Sequence, residues 1–451
     1  MAWLTKSRFM AGWQCTKRLW FEVNAPLETR APDSVAILQG RVFDAFVREW
    51  WPGRVIARDR GMPAAIAETS RILAAGGDPV LHQPAVRHGD FAVIADVLRN
   101  DRGRAELVEI KASTSVKPEH LPDAAYQALV LRSAHVPVER VLVGHVNNQF
   151  TLERAGAYEG LLVEEDVTAR VEALLPTLGE QAVALHRVMS LPAAPPIAMG
   201  PQCTTPWRCP FIERCSQTAP PPDFPMHKDP RVRAGVIFLD RAVAAELCDA
   251  PYPHSFLDFE TIAFAVPEIV GTRPYEQLPF QWSLHVERSS GETTHAEFLA
   301  IEDFGNFDAL ASALLAAIPG EGAVFAYNAS FERRVLELLA RLSVTHATGL
   351  RALAARLVDL LPITKRAYYH PQMRGSWSLK AVIPTIAPDL AYGALGAVQE
   401  GEAAQLAFLE LRRGRVQESR RATLMKAMLD YCRQDTRALV VLARYLASST
   451  R

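Results

Sequence analysis

The stretch HSFLDFETIAF (His254–Phe264) reads as a buried β-strand that carries two acids, Asp258 and Glu260. Side chains alternate between the faces of a strand, so the two carboxylates share one face and Phe259 takes the other. Two adjacent carboxylates repel. The repulsion is relieved by keeping one protonated or by turning both to a cation. A metal ion resolves it, and further carboxylates should then converge from other elements. Two downstream segments offer them. AYNASFERRVL follows a strand, and Glu332 there opens a helix. LDYCRQDTRAL puts Tyr431 and Asp435 at i and i+4, on one face of the last helix.

The surrounding pattern predicts the sheet that holds this strand. FQWSLHVERS and HAEFLAIED are two more strands, separated by SGE. A helix through FDALASALLAAI, a strand GAVFAYN and a helix SFERRVLELLARL follow, and ATLMKAMLDYCRQDTRALVVLARYL is the last long helix. A hairpin followed by alternating strands and helices predicts a mixed α/β sheet.

The chain has 451 residues, too many for one hydrophobic core, so two or three domains are expected. Five prolines in TAPPPDFPMHKDP (Thr218–Pro230) block helix and strand ladder alike and mark the seam. The expected division is 1–217, a connector 218–250, and 251–451. Hydrophobic residues make up 49% and charged residues 22%, an ordinary globular composition. The net charge of -1 announces no polyanionic partner, but ten Lys/Arg against three Asp/Glu between Leu411 and Arg451 suit a phosphate backbone or a solvated helix face. No stretch is long and apolar enough to span a bilayer, and MAWLTKSRFMAGWQC lacks the apolar core of a signal peptide. A cytoplasmic protein without membrane contact is expected, where structural disulfides are rare.

In the N-terminal half, SVAILQGRVFDAFVREWW, PAAIAETSRILAAGG and PDAAYQALVLRSAH have helical periods. FAVIADVLRN and AELVEIKAS are consecutive strands around NDRGR, and RVLVGHVN is another. Glu109 and Lys111 share a strand face, and a hairpin could bring Asp96 beside Glu109. An arbitrary E-x-K is usually a surface pair. Here the flanks are apolar on both sides, and buried charges need partners or a metal. Two carboxylates for Mg²⁺ or Mn²⁺ and one ammonium to orient water form a minimal kit for phosphodiester hydrolysis.

This arrangement resembles the PD-(D/E)XK nucleases, specifically the RecB-like exonucleases that include the CRISPR-associated Fe–S exonucleases. The resemblance implies that Asp96 and Glu109 bind metal, that Lys111 is the catalytic lysine, and that Gln127 in DAAYQALVL is the helix glutamine near the site. In GRVFD, Asp44 stands where the family often has a metal-binding histidine; Glu68 is a weaker ligand and is expected to be a solvated helix residue.

QCTTPWRCPFIERC spaces Cys203, Cys209 and Cys215 by five residues each, and Cys15 lies nearly 190 residues upstream in GWQCTKRLW. This is not the paired spacing of zinc ribbons. One distant and three clustered cysteines resemble the Fe–S staple of the same nucleases. Four thiolates suit a [4Fe–4S] cluster, with zinc as the rival. Trp207 beside them is expected to pack in the core, and Cys248 and Cys432 to be ordinary buried thiols.

DFE, NASFE and YCRQD, in that order, resemble the three motifs of the DEDD 3′–5′ exonucleases of the RNase H-like fold, in their tyrosine subclass, and GSWSLKAVI resembles the helix before the third motif. The resemblance implies that Asp258, Glu260 and Asp435 hold two metals and that Tyr431 orients the attacking water. Glu332 stands where the family usually has Asp, and Asp359 is a less favoured substitute. The whole chain also resembles an uncharacterised bacterial family that joins these two modules. The expected architecture is therefore α/β, with a restriction-endonuclease-like and an RNase H-like domain. The expected activity is a metal-dependent nuclease acting on DNA, with RNA as the second choice, through an N-terminal RecB-like site and a C-terminal 3′–5′ exonuclease-like site. The alternative, motivated by Asp44 and Glu332, is a nucleic-acid-binding scaffold with one or both sites silent.

Overall fold

In the computed structural model, alternating helical and extended periods build a mixed α/β protein of two units. The structure describes residues 2–28, 33–76, 78–101, 104–218, 228–247, 249–390, 398, 400–414 and 416–448. Cys248 and residues 219–227 of the proline-rich stretch lie outside the described residues. One unit comprises Met1–Pro222 with Phe264–Pro274, and the other Asp223–Ala263 with Tyr275–Arg451.

The first unit contains β1 (Leu4–Thr5), β2 (Arg54–Val55), β3 (Val80–His82), β4 (Ala85–His88), β5 (Phe91–Ile94), β6 (Val97–Asp101), β7 (Arg104–Lys111), β8 (Val138–Val146) and β9 (Leu162–Asp166). A six-stranded sheet has the order β2-β3-β6-β7-β8-β9, and a smaller sheet the order β1-β5-β4. Among its helices are α1 (Lys6–Gln14), α2 (Thr16–Asn24), α3 (Val35–Trp50), α4 (Met62–Ala74), α5 (His120–Ser133) and α6 (Thr168–Val188). Central β7 and β8 are parallel neighbours with long buried runs, as expected of strands covered on both faces.

FAVIADVLRN is not one strand. β5 belongs to the small sheet and β6 to the large one. At the break the Ala95 amide donates to the Pro84 carbonyl (3.0 Å) and the Gln83 amide donates to the Asp96 carbonyl (2.9 Å). Both chain segments change sheets together, which leaves Asp96 between strands. The segment Phe264–Pro274 is held inside this unit by Gln39 Oε1, which accepts the Ala265 amide (2.8 Å), and by paired backbone bonds between Leu152 and Gly271–Thr272.

The second unit contains β10 (Phe238–Leu239), β11 (His254–Ile262), β12 (Leu278–Glu287), β13 (Thr293–Leu299), β14 (Val324–Ala326), β15 (Leu357–Asp359) and β16 (Tyr368–Tyr369). Its main sheet has the order β13-β12-β11-β14-β15. β13, β12 and β11 are antiparallel, while β11, β14 and β15 run parallel. The helices that matter here are α7 (Phe307–Ala317), α8 (Ser330–Leu342), α9 (Ala347–Ala355), α10 (Leu360–Ala367), α11 (Leu379–Ile386), α12 (Gly401–Arg412) and α13 (Glu418–Ser448). Buried residues of α13 recur at helical spacing from Leu424 through Met428, Tyr431, Asp435 and Leu439, so one face lies on the sheet. Gln281 Nε2 on β12 fixes the crossing by donating to the Met428 carbonyl (2.9 Å). Among the described residues no helix is long and apolar enough to cross a membrane.

Candidate functional site

In the second unit, β11 presents Asp258 and Glu260 on the face covered by α13. A β-bulge follows Glu260: its register partner is Gln281, but that of Thr261 is Pro279. Such bulges re-aim side chains beside functional sites. Asp435 comes from α13, and one ligand oxygen each of Asp258, Glu260 and Asp435 lies within 4.8 Å of the others. Among the described residues this is the one such set of three carboxylate, imidazole or thiol ligands. Tyr431, one turn before Asp435, hydrogen-bonds to it.

The electrostatics follow from crowding. Burial, then Asp435, Glu260 and Glu332, pushes the Asp258 carboxyl well above the usual range. Burial and Asp435 push Glu260 up to about 8. Glu332, in the first turn of α8, is only 2% exposed, and its Oε2 has no hydrogen-bond partner. Burial raises its carboxyl to about 8. It joins the group electrostatically through Asp258. Asp359 caps α10, its Oδ1 accepting the amides of Leu361 (3.0 Å) and Asn328 (2.9 Å), and its charge adds to the rise of the Glu332 carboxyl. A buried set of acids with an orphaned oxygen fits a divalent cation.

Two residues beside these acids were not read from the sequence as functional. Cys432, expected to be an ordinary thiol, sits in the site with Sγ 3.4 Å from Asp258 Oδ2. Lys380 of α11 lies 4.9 Å from the Tyr431 ring centroid and lowers the Glu260 carboxyl against the larger upward effects. Both stand inside motifs already quoted, YCRQD and GSWSLKAVI.

The first unit brings Asp96, Glu109, Lys111 and Gln127 together. Glu109 is fully buried; its Oε1 accepts Lys111 Nζ (2.5 Å) and its Oε2 accepts Gln127 Nε2 (2.6 Å). Asp96 Oδ2 accepts the Ile110 amide (2.9 Å). Two further residues complete the cluster. Lys6 Nζ, from the first turn of α1, also donates to Glu109 Oε1 (2.8 Å), and Asp123 Oδ2 accepts Lys111 Nζ (2.6 Å). Asp123 precedes Gln127 by four residues on α5, a helical spacing that could have been noticed. Lys6 lies 103 residues from Glu109 and carries no local signal.

Burial alone would raise Glu109, but Lys111 and Lys6 hold it below the carboxylate range. Asp96 is pushed up to about 7 by burial and by Glu109. Asp44 turns its carboxylate to Arg48 on the next turn of α3 (2.6 Å). Glu68 is a half-buried residue of α4.

Cys15, Cys203, Cys209 and Cys215 line one cavity with Lys17, Arg18, Phe21 and Phe211. Cys15 joins α1 to α2. Gln14 Nε2 ties this corner to the cysteine loop by donating to the carbonyls of Gln202 (2.7 Å) and Trp207 (2.6 Å). Trp207 is 41% exposed, so it is not the core residue expected. Its carbonyl, accepting from Gln14 Nε2, ties it to this corner.

A family model described as "Domain of unknown function (DUF2779)" matches residues 255–378. The match includes Asp258, Glu260 and Glu332 and stops before Tyr431 and Asp435. No curated protein matches the chain.

Proposed function

We propose that this protein is a metal-dependent nuclease that hydrolyses phosphodiester bonds of nucleic acid, DNA first among them. The observation that carries this reading is the convergence of Asp258, Glu260 and Asp435 within 4.8 Å, beside Tyr431 and the unpartnered Glu332 oxygen. The order β13-β12-β11-β14-β15, with antiparallel and parallel halves meeting at β11, supports an RNase H-like assignment for this unit. Asp258, Glu260 and Asp435 would hold Mg²⁺ or Mn²⁺, with Glu332 completing the set. A bound divalent ion supplies acidified water and neutralises phosphate charge. Tyr431 would orient the attacking water, and Lys380 would bring positive charge to the phosphate. The basic run on α12 and α13 would follow the backbone of the strand.

The Asp96, Glu109, Lys111 and Gln127 grouping supports a RecB-like PD-(D/E)XK assignment for the first unit. Its carboxylates are already engaged by protein donors, which a divalent ion would have to displace. The four cysteines would hold a [4Fe–4S] cluster as a structural staple. Their shared cavity supports a four-thiolate site, with zinc as the rival occupant.

The test uses wild type, Lys111→Ala and Asp258→Ala on 5′- and 3′-labelled single strands with Mg²⁺ or Mn²⁺. Asp258→Ala should abolish 3′ trimming. Metal-loaded wild type that degrades neither DNA nor RNA, yet binds DNA tightly without metal, would instead support the scaffold reading.

A further inference from the structure

We propose that Lys6 is a built-in counter-ion of the first unit's acidic cluster, and that a divalent ion enters there only by displacing its ammonium. The cluster holds three carboxylates, Asp96, Glu109 and Asp123, and two ammonium groups, Lys6 and Lys111. Every carboxylate is engaged by a protein donor. Glu109 Oε1 accepts both ammoniums, at 2.8 and 2.5 Å, and Oε2 accepts Gln127. Asp123 faces Lys111 at 2.6 Å, Lys6 at 3.7 Å and Gln127 Nε2 at 3.1 Å. Asp96 accepts the Ile110 amide. Two positive charges nearly balance the acids, so an added divalent ion would leave a net positive buried site, which is costly.

The second unit differs in kind. There three ligand oxygens crowd within 4.8 Å and a fourth acid keeps an unpartnered oxygen. Lys380 of α11 only partly offsets its acids, whereas Glu109 of the first unit accepts two ammoniums directly.

Lys6 is held in place by its surroundings. Phe9, one turn along α1, stacks on Tyr126 of α5 at 4.4 Å. The Tyr126 hydroxyl donates to the Leu4 carbonyl (2.5 Å). All three residues are fully buried. The start of α1 is thereby clamped to the helix that supplies Asp123 and Gln127, and Lys6 projects onto Glu109 between them. A lysine on an untethered terminus could swing aside for a metal; this one has a fixed base and only its side chain to move.

The inference rests on the nuclease reading only for its expectation of a divalent ion, and Mn²⁺ binding is read without turnover. A protein that cleaves nothing leaves it standing. The experiment uses the full chain carrying Asp258→Asn and Asp435→Asn, which removes the competing site. Mn²⁺ affinity is measured by loss of the free-ion magnetic resonance signal. Adding Lys6→Met should tighten Mn²⁺ binding by about tenfold or more, and adding Lys6→Arg should not. Equal affinity with and without Lys6→Met overturns the proposal. So does a parent that already binds Mn²⁺ as tightly as the unmutated chain. If Lys6→Met weakens the fold, Mn²⁺ should restore its melting temperature as a replacement cation; failure to restore it also overturns the proposal.

Discussion

Replacing Asp258 by Asn should stabilise the metal-free protein and destroy its response to metal. Two unit charges 4.8 Å apart repel by about 3.5 kcal/mol at an effective dielectric of about 20. Asp258 faces two such neighbours, Glu260 and Asp435, with Glu332 beyond. Part of this repulsion is already avoided, because burial and the neighbouring acids raise the Asp258 carboxyl well above its usual range and Glu260 to about 8, so protons are retained on the group near neutrality. The net gain from Asp258→Asn is therefore smaller, about 1–2 kcal/mol, a rise of a few degrees in melting temperature for a unit of this size. Asparagine keeps the shape and an oxygen for Cys432 Sγ. In Mn²⁺ at a hundred times its dissociation constant, wild type should gain about 2.7 kcal/mol and the variant almost nothing. Melting curves in chelator and in Mn²⁺ should thus exchange order. Turnover on a 3′-labelled strand should fall about a thousandfold, the equivalent of ~4 kcal/mol of transition-state stabilisation. If the variant melts below wild type in chelator and gains as much from Mn²⁺, the carboxylates are structural and the reasoning fails.

Tyr431→Phe should lower turnover by about tenfold to a hundredfold through lost water orientation while keeping the Mn²⁺-induced rise in melting temperature; loss of both would make Tyr431 a packing residue. The His285 ring lies 4.5 Å from that of His295, tilted at 43°, and hydrogen-bonds Thr436 Oγ1 (2.8 Å); burial, then His295, pushes it down to about 4. Its folded value lies below its unfolded value of 6.5, so its stabilising contribution is present above pH 6.5 and is lost as pH falls toward 4. Urea titrations should show wild type losing about 1–2 kcal/mol more than His285→Gln across that window, the full shift being discounted for solvent screening; parallel losses would refute it. Cys209→Ser should bleach an absorption near 400 nm in anaerobically purified protein, whereas a colourless wild type with stoichiometric zinc would reject the cluster.

The strand HSFLDFETIAF was legible because a period of two is a local property: it fixed the common face of Asp258 and Glu260 before any partner was known. The i, i+4 relation of Tyr431 and Asp435 was legible for the same reason. Tertiary choices were not. Whether FAVIADVLRN runs straight or breaks at Asp96 depends on pairing with residues 83–84, and only the folded backbone settles it. Lys6 reaches Glu109 across 103 residues through the Phe9–Tyr126 stack, a packing relation with no sequence period. The same holds for Phe264–Pro274, which leaves the strand it follows and pairs with Leu152 and Gln39. Asp123 is the exception, since it stands one helical turn before Gln127 and so shares its face by local spacing alone.

The two acidic groupings begin from one geometric device, a strand with charged residues at i and i+2. In β7 the pair is Glu109 and Lys111; in β11 it is Asp258 and Glu260. Strand geometry puts both members on one face in each case, so the difference lies in the cation. Lys111 neutralises Glu109 within the strand itself, and Lys6 adds a second ammonium from α1. β11 offers no ammonium of its own, α13 adds another acid, Asp435, and Lys380 of α11 offsets only part of the charge, lowering Glu260 against larger upward effects. Charge balance then requires a cation from outside or protons retained on the acids, and the raised carboxyls of Asp258, Glu260 and Glu332 are the signature of the second state. Metal demand is thus set by the side chains recruited around each pair. The β11 grouping is the one whose behaviour should depend on Mg²⁺ or Mn²⁺, and Lys6 is the residue whose removal should make the β7 grouping follow it.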